Sequence, residues 1–257
     1  ASYSMKVFAS TAALEAGALL PASLTKDWLV SNASTDGNFW LDLDQDGLQQ
    51  FTATVGNLQV QAITQDGART VDLENAAFDL NLSPEHSENS RGWSVRLANL
   101  SFDLQQRPWE VPEIQLLIKP EETASLSVQA TQLDLEMLRQ VLVAAVPLPA
   151  SATEILTTLN PRGSLRNLEL ETALDGSYPK AFKLRSNMRA VAVDAWKGAP
   201  SGDNLQGYLE LDAADGFTEV NSTDVSVHLP PLFAQTWRYD RINARVNWHA
   251  ADGNLHI

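Results

Sequence analysis

Residues 39–60 read FWLDLDQDGLQQFTATVGNLQV, and this stretch decides the fold class. Apolar and polar residues alternate in FWLDLD and again in FTATV, which is the period of a β-strand with one face turned towards a core. Between the two runs stands Asp46-Gly47, a dipeptide that favours a tight turn because both residues tolerate positive φ angles. The stretch therefore predicts a β-hairpin with Phe39 and Leu41 on one face and the acidic residues on the other.

The aspartates of this hairpin also resemble the first half of a calcium-binding loop. Asp42, Asp44, Asp46 and Gly47 follow the pattern D-x-D-x-D-G. Such a loop needs a bidentate Glu at its twelfth position and a helix on each side. The twelfth position is Ala53, and both flanks alternate as strands do. We therefore expect a turn and a solvated strand face at this point, with neither a metal site nor a cofactor.

The hairpin pattern recurs along the whole chain. Six of the thirteen glycines follow Asp. These pairs are Asp36-Gly37, Asp46-Gly47, Asp66-Gly67, Asp175-Gly176, Asp215-Gly216 and Asp252-Gly253. Each predicts a turn between strands, and the alternating segments between them predict about fifteen antiparallel strands with one apolar face each.

The alternation slips by one residue at two places. One lies between Leu97 and Leu100, and the other lies around Gly56. A β-bulge at each place would keep the apolar side chains on one face of the sheet. We therefore predict a bulge or bend at both positions.

Composition excludes several classes of function. The 257 residues carry a net charge of −14, which argues against nucleic-acid binding and against direct contact with a strongly anionic membrane. Without cysteine there is no disulfide, thiolate metal site or cysteine nucleophile. The chain has no apolar run long enough to span a bilayer, and Glu15 interrupts the one segment that resembles a signal peptide. No catalytic motif occurs, so an enzyme is not expected.

Helical signals are confined to three segments. These are Thr11–Leu20, a segment from about Gln132 to Ala145, and a shorter one from Ser151 to Asn160. In the second segment, Thr131 and Asp134 form a capping-box pattern. Leu135, Leu138 and Leu142 then recur at helical spacing. Three short helices are too few to cover the apolar faces of the expected strands. The strands therefore either pack on one another as a sandwich or form a curled sheet with an open trough, and the patterns leave both possibilities open.

Residues 193–248 carry a family resemblance. They contain a Trp followed by a Gly-Pro turn, an Asp-Gly hairpin, the sequence LPPLF, and a final strand of pattern W-x-Y-D-x-I-x-A-x-V-x-W. The preceding TQLDLEMLRQVLVAAVPLP and LNPRGSLRNLEL fit the same family. Together they make residues 130–257 resemble the YhdP branch of the AsmA-like family. The first 130 residues are similar only as the same kind of meander.

The resemblance implies a mainly β fold, a long curled antiparallel sheet with an open groove and two or three short helices packed on or in it. Members of this family are large bacterial envelope proteins that are anchored in the inner membrane and cross the periplasm. Their hydrophobic groove conducts phospholipid between the inner and outer membranes. By this resemblance the chain is a periplasmic segment of a longer protein, with phospholipid as its partner and no nucleic acid.

The resemblance also assigns roles to apolar side chains that residue statistics alone would place in an ordinary core. The groove lining is expected to include Phe78, Leu80, Val95, Leu97, Phe102, Ile114, Leu116, Leu126, Val225, Val227 and Val246. The stripe Leu135, Leu138 and Leu142 is expected either to lie inside the groove or to cap one end of the sheet.

The expected organisation is one elongated domain in three sections. Residues 1–130 form the first part of the meander, residues 131–160 a helical insertion, and residues 161–257 the second part. Two other functions remain open at this point. The chain is a β-sandwich or β-solenoid module that binds a glycan or a protein, or it is a scaffold that spans the envelope without carrying lipid.

Overall fold

The structure, a computed structural model, describes residues 3–15, 28–87, 90–119, 124–146, 148, 150–174, 182–196, 200–230, 234–251 and 254–256. The chain divides into two compact units, Ala1–Glu121 and Glu122–Ile257. This division assigns the helical segment to the second unit, whereas the sequence analysis placed a separate section at 131–160.

Unit 1 is an antiparallel meander in its described part. Its strands are β1 (Ser4–Glu15), β2 (Trp28–Asp44), β3 (Gly47–Thr64), β4 (Thr70–Ser87), β5 (Ser90–Leu104) and β6 (Arg107–Lys119). Each strand pairs with the next one along the chain. Strands of up to 18 residues are well above the usual length of about 5–6 residues.

Unit 2 combines strands with two helices. Its elements are β7 (Ser125–Asp134), α1 (Leu135–Ala145), α2 (Ala150–Leu159), β8 (Arg162–Ala173), β9 (Phe182–Val193), β10 (Ser201–Asp212), β11 (Asp215–His228), β12 (Trp237–Ala251) and β13 (Asn254–His256). The strands again pair antiparallel in chain order. The prediction of a mainly β fold with an open antiparallel sheet and short helices is confirmed. The described residues contain thirteen strands, against about fifteen expected from the patterns.

Two of the predicted Asp-Gly turns are confirmed. Gln45 and Asp46 form the turn between β2 and β3, and Gly47 has a φ of 110°. The Asp44 carboxylate accepts a hydrogen bond from the Asp46 N–H at 2.7 Å. The turn at Asp66-Gly67 joins β3 to β4. Its Asp66 carboxylate accepts hydrogen bonds from the Thr64 hydroxyl and the Ala68 N–H, which hold its pKa below the usual value.

Two other turn predictions are wrong. Asp36-Gly37 lies in the middle of β2, and Asp215-Gly216 forms the start of β11, after a turn at 213–214. At both places the glycine serves close packing instead of a turn. A Cβ atom on Gly216 would lie 2.4 Å from the Trp248 ring, a distance that real structures do not allow. The pairs Asp175-Gly176 and Asp252-Gly253 lie outside the described residues.

The predicted helix at Thr11–Leu20 is also wrong where it is described, because β1 continues to Glu15. Hydrogen bonding of this segment to β2 outweighs the helix propensity of its alanines. The capping box is a further correction. Helix α1 begins at Leu135, and Asp134 is itself the N-cap residue that accepts a hydrogen bond from the Met137 N–H at 2.9 Å.

Candidate functional site

Apolar side chains form continuous rows across the strands of unit 1. Residues that are paired across an antiparallel sheet point to the same face, so the register defines which side chains lie side by side. One row crosses all six strands and consists of Val7, Leu41, Phe51, Leu82, Val95 and Leu116. A second row two residues further along consists of Ala9, Phe39, Ala53, Leu80, Leu97 and Ile114. We call the face that carries these rows the apolar face.

The apolar face continues through the bends of the strands. On β2, the odd-numbered residues from Ala33 to Leu41 alternate without a bulge, whereas on β3 an extra residue at Gly56 shifts the register. Because of that shift, Thr35 pairs with Leu58 and Ala33 with Val60. The even-numbered apolar residues of β3 beyond Gly56 therefore point to the same side as the odd-numbered ones before it. The bulge predicted around Gly56 is confirmed.

The bulge predicted between Leu97 and Leu100 is confirmed as well. Asn99 has a φ of 53°, and the register between β4 and β5 shifts at this position. Beyond the bulge, Leu104 pairs with Leu73, whose partner on β3 is Val60. The second half of β5 thus keeps its leucines on the apolar face.

The apolar face of unit 1 has no described layer over it. The six strands contact their sheet neighbours, and within residues 3–15, 28–87 and 90–119 no helix or second sheet is present to cover the rows. Most side chains of these rows are accordingly half-buried, whereas Val7 and Ala9 of β1 are exposed and Ala53 is buried. Full burial occurs mainly at small side chains near the bends, such as Ala33 and Ala76, and at Leu104 and Val111. A filled sandwich core would instead bury the large side chains most completely.

Unit 2 has rows of the same kind, but its rows contain more small residues. One row consists of Val128, Leu170, Leu184, Leu211, Gly216 and Trp248. The Trp248 ring covers Gly216, because a Cβ atom at Gly216 would lie only 2.4 Å from that ring. In the next row, Ser186, Leu209, Thr218 and Val246 are neighbours.

All eleven residues predicted to line a groove lie on the apolar face of their own unit. Phe78, Leu80, Val95, Leu97, Phe102, Ile114 and Leu116 do so in unit 1, and Leu126 and Val246 do so in unit 2. Val225 and Val227 also do so, because they follow Asp224, whose φ of 53° shifts the alternation of β11 where its register with β10 changes. Their exposure differs widely. Val225 is only 1% exposed, whereas Val246 is 36% exposed. Contact of these side chains with lipid remains a prediction.

Sequence reasoning missed several members of the rows. Phe51 and Leu82 stand at the centre of the first row of unit 1, and Val7 and Leu41 complete it on β1 and β2. The alternation of apolar and polar residues in 39–60 indicated that Leu41 and Phe51 lie on the apolar face. Only the register identifies which residues of different strands are neighbours.

Helix α1 packs on β7 and β8 with Met137 as its most buried residue, only 4% exposed. Leu135, Leu138 and Leu142 are half-buried, so the predicted stripe is in partial contact with protein. The predicted leucine stripe did not include Met137, which lies in the first turn of the helix after the N-cap residue Asp134. Of the described helices, neither is long and apolar enough to cross a bilayer.

Charged pairs occupy the opposite face of the sheet, which we call the outer face. Arg96 donates a hydrogen bond to Glu113 at 2.6 Å and holds the pKa of that carboxyl below its usual value. In unit 2, Arg245 donates to Glu219 at 2.8 Å. Asp42 of the opening hairpin lies 3.2 Å from the Lys6 ammonium. Within the described residues, no three His, Asp or Glu side chains are arranged to hold a metal ion.

Comparison with known proteins gives one match. A family model described as YhdP protein matches residues 9–257, which extends through the first half of the chain as well as the second. No curated protein and no solved structure gives a significant match.

Proposed function

Because the chain belongs to the YhdP protein family, we propose that it is a segment of a periplasmic, bridge-like lipid transfer protein. Its apolar face holds the acyl chains of phospholipids that pass between the inner and outer membranes. The observation that carries this proposal is the pair of apolar rows in unit 1, which cross six strands with no described layer over them. The proposal includes no catalytic step.

An acyl chain that leaves a bilayer exposes its methylene groups to water. Each methylene group exposed to water costs about 0.8 kcal/mol, so a 16-carbon chain faces a barrier on the order of 12 kcal/mol. An apolar surface along the route removes most of this barrier. The two rows extend over six strands, which corresponds to roughly 24 Å at a strand spacing of about 4.8 Å.

The charge distribution supports the same function. The ion pairs and the excess of acidic residues lie where water is expected, and a net charge of −14 favours solubility over adhesion to anionic bilayers. Contacts with the two membranes are assigned to parts of the full-length protein outside this chain. The Leu135, Leu138 and Leu142 stripe of α1 borders the lipid path in unit 2.

A matched pair of double variants tests the proposal. Leu80 and Leu97 are cross-strand partners on the apolar face, and the adjacent residues Asn81 and Arg96 are partners on the outer face. The purified chain is loaded from vesicles that contain radiolabelled phosphatidylethanolamine, and the bound lipid is counted after gel filtration. We expect Leu80→Glu with Leu97→Glu to abolish lipid retention, and Asn81→Glu with Arg96→Glu to leave it unchanged. Equal retention by both double variants, or no lipid on the parent chain, would contradict the proposal.

A further inference from the structure

Two aromatic side chains stand on the outer face of unit 1. Phe8 pairs with Trp40, and this pair alternates with Val7 and Leu41 on the apolar face. The two rings have centroids 5.4 Å apart at an interplanar angle of 41°. Phe8 is 59% exposed and Trp40 is 43% exposed, on a face that otherwise carries mainly polar and charged side chains. Their position excludes them from the proposed lipid path, and their exposed rings offer an apolar surface on which a ligand can stack.

The aromatic pair forms one wall of a cavity of about 220 Å³. This volume is below the roughly 300 Å³ at which sites for drug-sized ligands begin, so it suits a single small ring. The polar part of the lining comes from Lys6, Asp42, Gln50 and Thr52. All four lie on the outer face, since Lys6 pairs with Asp42, Asp42 with Gln50, and Thr52 with Trp40.

The polar groups of the cavity are suited to a neutral ligand. The Lys6 ammonium lies 3.2 Å from the Asp42 carboxylate, so the two charges compensate each other. Gln50 donates a hydrogen bond to the Thr52 hydroxyl at 3.4 Å, and each of these two side chains offers both donors and acceptors. A ligand with vicinal hydroxyl groups is complementary to these side chains, because each hydroxyl group both donates and accepts hydrogen bonds.

From this arrangement we propose that the Phe8–Trp40 cavity on the outer face binds a neutral pyranose sugar. The apolar C–H face of the ring stacks on Trp40, and its hydroxyl groups bond to Gln50, Thr52 and the Lys6–Asp42 pair. An anionic ligand fits less well, because the local charges cancel and the chain as a whole is strongly negative. Val7 and Leu41 also border the cavity, but the aromatic and polar side chains proposed to contact the sugar all lie on the outer face. A saccharide held by these side chains would therefore lie on the side of the sheet opposite the acyl chains.

The test is a titration of the complete chain with three soluble tetrasaccharides, namely the tetramers of β-1,4-linked N-acetylglucosamine, cellobiose-type glucose and maltose-type glucose. Binding is measured by saturation-transfer NMR and calorimetry. We expect at least one sugar to bind with a dissociation constant on the order of 1 mM. Trp40→Ala should weaken it by about tenfold because the stacking surface is lost. Gln50→Ala should weaken it less and, being exposed, should leave the melting temperature unchanged.

Trp237→Ala is the matched control, because Trp237 is 41% exposed but lies on the apolar face of unit 2. It should bind the sugar like the parent chain. The proposal is overturned if no sugar binds at about 10 mM, ten times the expected constant, or if folded Trp40→Ala binds as well as the parent. Trp40-dependent binding to phosphatidylglycerol vesicles in place of sugars would identify a membrane contact and would overturn it too.

Discussion

Single residues with a left-handed backbone determine where the strands bend. Asn75, Asn99, Asn167 and Asn204 all have positive φ inside strands, a conformation that Asn tolerates better than most residues. Three of them also tie neighbouring strands together, and one of the three is Asn204, whose amide donates to the Thr223 carbonyl oxygen at 2.9 Å. The Asn75 amide donates to Asp103 at 2.7 Å, and the Asn99 amide donates to Asp79 at 2.8 Å. A shift in the register with a neighbouring strand accompanies each asparagine, and the three amide hydrogen bonds stabilise the bends at which they occur.

Glycine at position 207 is required by a close approach of two strands. Gly207 has a φ of 151°, and a Cβ atom there would lie 1.8 Å from the Glu219 carbonyl oxygen. We expect Gly207→Ala to lower the free energy of unfolding by about 2 kcal/mol or more, as measured by urea denaturation. Gly56→Ala is the control, because nothing lies within 4 Å of a Cβ at that position. A loss for Gly207→Ala no larger than for Gly56→Ala would refute the assigned contact.

The Asp194 carboxylate predicts a specific pH dependence. It accepts hydrogen bonds from Arg162 and Asn160, which hold its pKa below the ordinary value of 3.8. A carboxyl group whose pKa is lower in the folded state than in the unfolded state stabilises the fold at pH values above its unfolded-state pKa. This stabilisation is lost as the pH falls through the folded-state pKa. We expect Asp194→Asn to cost less than about 1 kcal/mol at pH 7, since the pair is half-exposed. The difference from the parent should shrink as the pH is lowered below 3.8, and a difference that does not change with pH would contradict the assignment.

Among the elements, the strands were more predictable than the turns. Alternation in FWLDLD and FTATV identified β2 and β3, since the period of two reflects local backbone geometry. The prediction of a turn at Asp36-Gly37 was wrong because an Asp-Gly pair inside a strand has the same local sequence as one in a turn. The distinction depends on the Thr54 carbonyl oxygen, which lies only 3.0 Å from a Cβ at Gly37. Such a contact between strands is not encoded in neighbouring residues.

Helix α1 provides a prediction at the level of an element. Its N-cap Asp134 accepts the hydrogen bond of the Met137 N–H, and Met137 is the buried anchor of the helix. We expect Asp134→Ala to destabilise the chain by about 1 kcal/mol, whereas Asp134→Asn keeps a capping oxygen and costs little. Chemical denaturation of both variants measures the difference. Equal stability of the two variants would exclude a capping role.

In the molecule as a whole, the pairing of residues between neighbouring strands decides which side chains form the candidate site. The sequence analysis identified eleven residues that share the apolar face of their units, because the parity of each strand is readable from its own pattern. It did not identify the six-strand row through Phe51 and Leu82, because pairing partners such as Phe51 and Leu82 are 31 residues apart in sequence. The motifs in the second half of the chain predicted the family that the match over residues 9–257 shows, whereas the first half contains no distinctive motifs.

If phospholipid acyl chains contact the apolar face, site-specific photo-crosslinking in cells should capture them there. A photoreactive amino acid is placed at Leu97 or Leu116 of the full-length protein, and at the adjacent outer-face positions Arg96 and Gln115 as controls. After irradiation, phospholipid adducts are quantified by mass spectrometry. We expect abundant adducts at Leu97 and Leu116 and few at Arg96 and Gln115. Equal adduct yields on the two faces would contradict this contact.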